Sequence, residues 1–170
     1  MDRNEVAYLS GGRRRVALAA LFTVVKDGRL RLSYADKLYA VAGAESGDSV
    51  EEAALAQRST IPKALAALAG HESVRAVEED LVRRGLVGRG WLGLTLRPTP
   101  AGRELAEHAV QEKREPSLRV ALDGVAGITD VALRRRFAVA TKSKGSLRGQ
   151  GTGGWDATHD YNGSGDGNPW

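Results

Sequence analysis

Apolar and polar residues alternate with two different periods over the first quarter of the chain. Over residues 13–26 the apolar positions recur at helical spacing, which predicts an amphipathic helix ended by an Asp-Gly pair. Residues 29–43 then alternate between apolar and polar side chains, which predicts two short strands joined by a turn at Ala35-Asp36. A helix followed by a hairpin is therefore expected in this part of the chain.

A shorter helix is expected before it. Asn4 is a residue type that caps helix N-termini, and the helix that it begins is predicted to run through Leu9. Gly11 and Gly12 follow, and paired glycines favour a sharp turn between two helices. The N-terminal region is therefore expected to contain two helices on either side of a glycine turn.

Capping residues, prolines and glycines mark the boundaries of the remaining elements. Proline at the first helical position, as in the Thr99-Pro100 pair, is a strong start signal. After Pro116 a helix, a bend at the sequence GVAGITD and a second helix capped by Asp130 are predicted. The expected helices span about 48–58, 62–70, 71–85, 99–115, 117–123 and 131–140, with a strand over 90–98.

A weak internal repeat suggests how these elements are organised. When Gly28 is aligned with Gly85, both copies show a helix that ends in charged residues, then glycine, then a strand. A helix followed by two strands forms the second half of a winged helix, although such a pattern can also recur by chance. The predicted fold is α+β, mainly α, with tandem winged-helix-like units over residues 1–43 and 44–115, a C-terminal helical segment over 116–140 and a disordered Gly-rich tail over 141–170.

The expectation for the tail rests on composition. Residues 141–170 are rich in glycine and almost lack aliphatic side chains, so they cannot bury enough apolar area to offset the entropy of ordering them.

Composition also narrows the function. The chain contains no cysteine, which removes disulfides, thiolate zinc sites and cysteine nucleophiles and fits a reducing cytoplasm. No histidine pair has metal-ligand spacing, and no nucleophile or phosphate-loop motif occurs. The longest apolar run covers residues 16–25, whereas a membrane span needs about 20 residues. We therefore expect a cytoplasmic protein with no membrane span, no catalytic residues, no metal and no cofactor.

Positive charge is concentrated near the N-terminus. Residues 1–43 carry eight basic and four acidic side chains, which accounts for the whole net charge of +4. Three consecutive arginines follow the glycine turn at a helix start, where the helix dipole disfavours cations. At least one of them is therefore expected to pair with an acidic group, in the fold or on a partner; the alternative is an idle solvated face. The candidate interaction site is Tyr8, Gly11, Gly12, Arg13, Arg14 and Arg15.

The stretch LTLRPTPAGRELAEHA, residues 94–109, resembles the end of winged-helix transcription regulators. In such a unit the helix over 71–85 would enter the major groove. That helix carries four carboxylates, which repel phosphates, so duplex binding is not favoured. The four are Glu72, Glu78, Glu79 and Asp80.

Residues 7–32, AYLSGGRRRVALAALFTVVKDGRLRL, resemble the opening of an uncharacterised domain family of high-GC Gram-positive bacteria, whose pattern is AYLAGG-x-R-R, an Ala/Leu-rich helix and G-x-L. The segments LVRRGLV, P-x-P-AGR and VALDGVAGITDVALRRRF are also similar, so the resemblance covers about residues 4–140. Members of that family are often membrane-associated, with Gly-rich and often Cys-rich tails. This chain shares the Gly-rich tail but has no cysteine and no predicted span.

That family has no established activity, so the resemblance supplies no catalytic residues. We expect a non-enzymatic interaction or regulatory module with a protein partner of unknown identity. The alternative is a DNA-binding winged-helix transcription regulator.

Overall fold

A long kinked helix, α1, lies at the centre of the molecule. The structure is a computed structural model and describes residues 2–89, 96–111 and 115–142. Within these residues it is mainly helical with two small antiparallel sheets, which confirms the predicted α+β, mainly α class. The elements are α1 (Arg3–Lys26), β1 (Leu30–Leu32), β2 (Leu38–Ala40), α2 (Ser49–Leu55), α3 (Ile61–Ala69), α4 (Glu72–Arg83), β3 (Val87–Arg89), β4 (Leu96–Pro98), α5 (Pro100–Gln111), α6 (Pro116–Asp123), a 3₁₀ turn (Gly124–Gly127) and α7 (Val131–Lys142).

The start of α1 differs from the expectation. Asp2, not Asn4, caps the helix by accepting the backbone N–H of Asn4. Asn4 lies inside the first turn and is buried, and its amide donates to Asp48 Oδ2 at 2.8 Å. The tertiary partner therefore explains why this polar residue lies two positions inside the helix and not at its cap.

The glycine turn forms as predicted. Gly11 (φ −170°, ψ 20°) and Gly12 (φ 66°, ψ −163°) leave the helical conformation and divide α1 into two halves. The second half runs back along the first. A hydrogen bond of 3.2 Å from Arg3 Nη1 to Thr23 Oγ1 shows this, since it joins residues 20 positions apart within α1.

Both sheets are two-stranded hairpins. β1 pairs with β2 in the register Leu30↔Ala40 and Leu32↔Leu38, around the predicted turn in which Asp36 has φ 56°. β3 pairs with β4. Residues 90–95 of the predicted strand lie outside the described residues.

The two hairpins are entered in the same way. Gly28 (φ 73°) follows α1 and Gly85 (φ 71°) follows α4, and each glycine N–H donates to a carbonyl three residues earlier. The first apolar strand residue after each glycine, Leu30 and Val87, is buried. The repeat therefore corresponds to a recurring helix–glycine–hairpin structure, while the winged-helix interpretation stays a prediction.

One hydrophobic core joins the described elements. α1 packs against α2, α3, α4, α5 and α6, so it contacts all three predicted segments of the ordered chain. Phe22 of α1 meets Phe137 of α7 edge-to-face, with ring centroids 6.3 Å apart. The boundaries after residues 43 and 115 stay a prediction. The largest fully buried side chains include Phe137, Leu21, Leu30, Leu38, Ile61, Leu68, Leu81 and Ile128.

The C-terminal bend occurs where GVAGITD predicts it. The 3₁₀ turn separates α6 from α7, and Asp130 Oδ1 accepts the N–H of Leu133 as the predicted cap. α7 extends through Lys142, two residues past the expected end of the helical segment at 140. Thr141 Oγ1 donates to the Ala138 carbonyl at 3.1 Å, and a lysine in the last turn suits the helix dipole. Residues 143–170 of the predicted tail lie outside the described residues.

Of the helices in the described part of the chain, none is long and apolar enough to cross a membrane.

Candidate functional site

The glycine turn of α1 brings two of the candidate residues to one carboxylate on α4. The Tyr8 hydroxyl donates to Glu78 Oε2. Arg13 Nε donates to the same oxygen at 2.6 Å, and Arg13 Nη2 donates to Oε1, which makes the ion pair bidentate. The Glu78 side chain is 12% exposed. One of the three arginines thus pairs with an acidic group inside the fold, which is one of the two kinds of partner that the sequence led us to expect.

The contacts among Tyr8, Arg13 and Glu78 determine the protonation states of Glu78 and Tyr8. Hydrogen bonds from Arg13 hold the pKa of Glu78 below its usual value, although burial acts in the opposite direction. Burial, followed by the hydrogen bond to Glu78, raises the pKa of Tyr8 well above that of a free phenol. At neutral pH the carboxylate is therefore charged and the phenol protonated, so Tyr8 is a hydrogen-bond donor and not a base. The contact ties the two halves of α1 to α4.

Arg15 is held by a different element. Its Nη1 donates to the Leu122 carbonyl at 2.6 Å, in the last turn of α6. The guanidinium lies against Gly124, where a Cβ atom would come within 2.8 Å of Arg15 Cζ. Burial lowers the pKa of Arg15, and the nearby Asp123 opposes this effect. Arg15 therefore supplies a hydrogen-bond donor to a carbonyl group in the last turn of α6.

Arg14 differs from its two neighbours. It is exposed, and no described residue forms a hydrogen bond or ion pair with its side chain. The structure thus brings Tyr8 and Arg13 together on Glu78 of α4, sends Arg15 to α6 and leaves Arg14 exposed. Gly11 and Gly12 form the turn between the two halves of α1. The candidate site is mostly a set of internal contacts.

A second carboxylate network was not identified from the sequence. Glu51 is 7% exposed and accepts from Arg3 Nη1 at 2.5 Å and from Arg29 Nη2 at 2.6 Å. Ser46 Oγ also donates to it at 2.8 Å. In the sequence Glu51 is simply an acid in the first turn of a helix, where the dipole favours it. Only packing of α2 against α1 shows that it is buried.

The outer face of the β1–β2 hairpin is open to solvent. We call its four side chains, Arg31, Tyr34, Lys37 and Tyr39, the hairpin surface. Tyr34 at the turn is fully exposed and Tyr39 is 48% exposed. Lys37 Nζ lies 5.6 Å from the centroid of the Tyr39 ring. Two of the chain's four tyrosines within six positions, among cations, were a signal that sequence reasoning did not use.

Two cavities in the described region are candidate sites. One, of about 320 Å³, lies between α2 and α4 and is lined by Ser49, Glu52 and His71 among others. His71 Nδ1 accepts the Ser73 N–H there and caps α4. The other, of about 330 Å³, is mainly apolar. The described residues contain no group of three or more His, Asp or Glu that could hold a metal ion.

Comparisons with protein-family models, characterised proteins and solved structures found no match to this chain, so the resemblance to the Gram-positive domain family stays a prediction.

Proposed function

We propose that this protein is a non-enzymatic interaction module that docks a protein partner on the hairpin surface. The observation that carries the proposal is the exposure of Tyr34 and Tyr39 beside Arg31 and Lys37. Tyrosine and arginine are the residue types that most often contribute the largest share of binding energy at protein interfaces. Among the aromatic residues that the structure describes, Tyr8, Phe22 and Phe137 are buried, and Tyr34 and Tyr39 are the exposed ones.

The hairpin is held in place by α7 at its turn and by the core on its inner face. Arg136 of α7 donates through Nε to Asp36 Oδ1 at 2.5 Å and through Nη2 to the Ser33 carbonyl. Leu30 and Leu38 anchor the inner face in the core. A docking surface fixed before binding loses less conformational entropy when the partner arrives. These contacts support a preformed binding site at the turn.

The absence of cysteine fits a reducing compartment, and we place the module in the cytoplasm. The DNA-binding alternative has less support. The exposed charged side chains of α4 alternate between negative and positive along the helix, and the carboxylates among them repel phosphates. They are Glu72, Arg75, Glu79 and Arg83.

Site-specific photocrosslinking tests the proposal. A photoreactive phenylalanine is introduced at Tyr34, with the exposed Glu107 of α5 as the matched control position. The partner crosslinked at Tyr34 is purified, and its affinity is measured for the unaltered protein and for Tyr34→Ala. We expect an adduct at Tyr34 alone and about tenfold weaker binding by the variant.

An unchanged affinity, or adducts at both positions, would show that the hairpin surface is not the docking site. A DNA adduct formed by a photoreactive residue placed at the exposed Arg75 of α4 would favour the alternative function.

A further inference from the structure

We infer that the partner contributes an acidic peptide segment, which crosses the hairpin surface and continues onto the outer face of α7. This inference rests on the proposed function and specifies the chemistry of its partner. The observations that carry it are the unpaired cations on both elements and the contact that holds the elements together.

The hairpin surface has positive charge that the fold does not neutralise. Within the described residues, neither Arg31 nor Lys37 forms an ion pair with a carboxylate. The one acid in the hairpin, Asp36, is already paired with Arg136. By contrast Arg29, at the base of the hairpin, is turned inward to Glu51. The cations left on the outer face are therefore those available to a partner.

The outer face of α7 extends this positive charge. Arg134 and Arg135 are exposed and lack a carboxylate partner among the described residues. They precede Arg136, which contacts the hairpin turn. α7 contains no acidic residue. Val131 and Val139 on the same helix are 68% and 63% exposed. Joined to the hairpin turn through Arg136, α7 thus adds cations and exposed aliphatic side chains to the cations and aromatic rings of the hairpin surface.

An acidic peptide with interspersed apolar residues complements this surface better than nucleic acid does. Carboxylates would pair with the arginines and Lys37, while apolar side chains would cover Val131, Val139 and the tyrosine rings. Phosphates gain nothing from exposed valines, and a net charge of +4 gives little of the non-specific attraction that nucleic-acid binding uses. Tight binding of nucleic acid is therefore an outcome that would overturn the inference.

Fluorescence anisotropy with synthetic probes provides the test. The probes are a short peptide in which Glu alternates with Leu and Ala, the same peptide with Gln in place of Glu, and a single-stranded and a duplex DNA of equal charge. The full chain is titrated at low and at physiological salt. We expect the Glu peptide to bind more tightly than the Gln peptide, and its affinity to fall as salt rises.

Two double variants locate the site. Arg31→Gln with Lys37→Gln removes the hairpin cations, and Arg75→Gln with Arg103→Gln removes two exposed cations on α4 and α5. We expect about fivefold weaker Glu-peptide binding for the first pair and no change for the second. Thermal melting verifies that both variants remain folded.

Three results would overturn the inference: equal binding of the Glu and Gln peptides, equal losses for the two variants, or tighter binding of either DNA. None of these bears on the crosslink at Tyr34. A Tyr34 adduct with a partner that lacks acidic segments would preserve the proposed function and reject this inference.

Discussion

At the scale of single residues, identical side chains in adjacent positions have different roles. Arg13, Arg14 and Arg15 form one basic run in the sequence, yet each meets a different environment. Arg13 pairs with Glu78, Arg15 caps α6 through the Leu122 carbonyl, and Arg14 is exposed. A hydrogen bond to a charged group contributes about 1.5–3 kcal/mol, whereas an exposed arginine contributes little. The run is therefore not one structural unit, because its three side chains meet three different environments.

Separate substitutions of the three arginines should resolve these roles. We expect Arg13→Gln and Arg15→Gln each to lower the free energy of unfolding by about 1–3 kcal/mol, because each leaves a polar group without its partner. Arg14→Gln is the matched control and should change it by less than about 0.5 kcal/mol. Urea denaturation measures all three. Equal effects at the three positions would contradict the assignments.

At the scale of elements, glycine decides how the helices begin and turn. Gly12 has a backbone conformation that is essentially restricted to glycine, and it lets the second half of α1 fold back on the first. Gly102 has a different role. It lies in the first turn of α5, where an added Cβ would come within 2.1 Å of the Leu86 carbonyl oxygen. One glycine supplies a conformation, and the other permits a close approach.

Gly12→Ala should destabilise the helix turn without a steric clash. No atom lies within 4 Å of a Cβ placed there, so the cost is backbone strain of about 1–3 kcal/mol in the free energy of unfolding. Gly47→Ala is the control, since its site is equally open and its φ is not positive. Thermal melts of the two variants make the comparison. A Gly12→Ala melting temperature equal to that of the control would argue against the kinked conformation.

Gly102→Ala should act through overpacking. The obstructing atom belongs to the backbone, so α5 has to move away from Leu86, at a cost of about 1–3 kcal/mol in the free energy of unfolding. Gly70→Ala is the matched control, because the nearest atom to its added Cβ lies at 3.7 Å, an ordinary contact. Chemical denaturation distinguishes them. A neutral Gly102→Ala would show that α5 does not pack this closely.

At the scale of the whole molecule, the buried Glu51 and the partly buried Glu78 connect distant segments. Glu78 joins α4 to both halves of α1, and Glu51 joins α2 to Arg3 and Arg29. Burial works against the charged form of Glu51, but hydrogen bonds from Arg3, Arg29 and Ser46 outweigh it and lower its pKa. The pKa of Glu78 is also lowered, by Arg13 first. Both groups therefore bind protons less readily in the folded than in the unfolded chain.

The sign of the pH dependence follows. The stabilisation from Glu51 and Glu78 is fully present above the unfolded glutamate pKa of about 4.3, and it is lost as the pH falls through the lower folded values. We expect the free energy of unfolding to decline steadily with acidification below about pH 5. Denaturant titrations across this range measure the decline.

Glu78→Gln should lower stability at neutral pH and make the acid decline shallower, since one of the two groups no longer titrates. Glu107→Gln, on the exposed face of α5, is the comparison variant. If the two variants showed the same profile, Glu78 would not be a source of the acid sensitivity.

Interactions between residues close together in the sequence were enough to predict most of the secondary structure. The Gly11-Gly12 turn, the hairpin around Asp36, the cap at Asp130 and the glycine stops are set by backbone conformation and near-neighbour hydrogen bonds. These effects act over a few residues, so a single sequence displays them. The sequence also indicated, from the misfit between cations and a helix start, that an arginine needed an acidic partner.

The identity of that partner was decided only by tertiary structure. Arg13 and Glu78 are 65 positions apart, Arg15 and Leu122 are 107 apart, and no local rule selects one long-range pair among many acids and carbonyls. Packing between α1 and α2 likewise buried Asn4 and Glu51, two polar residues that their sequence positions placed at solvent-facing helix starts. It also left Tyr34 and Tyr39 uncovered, because their exposure depends on which elements do not pack against the hairpin.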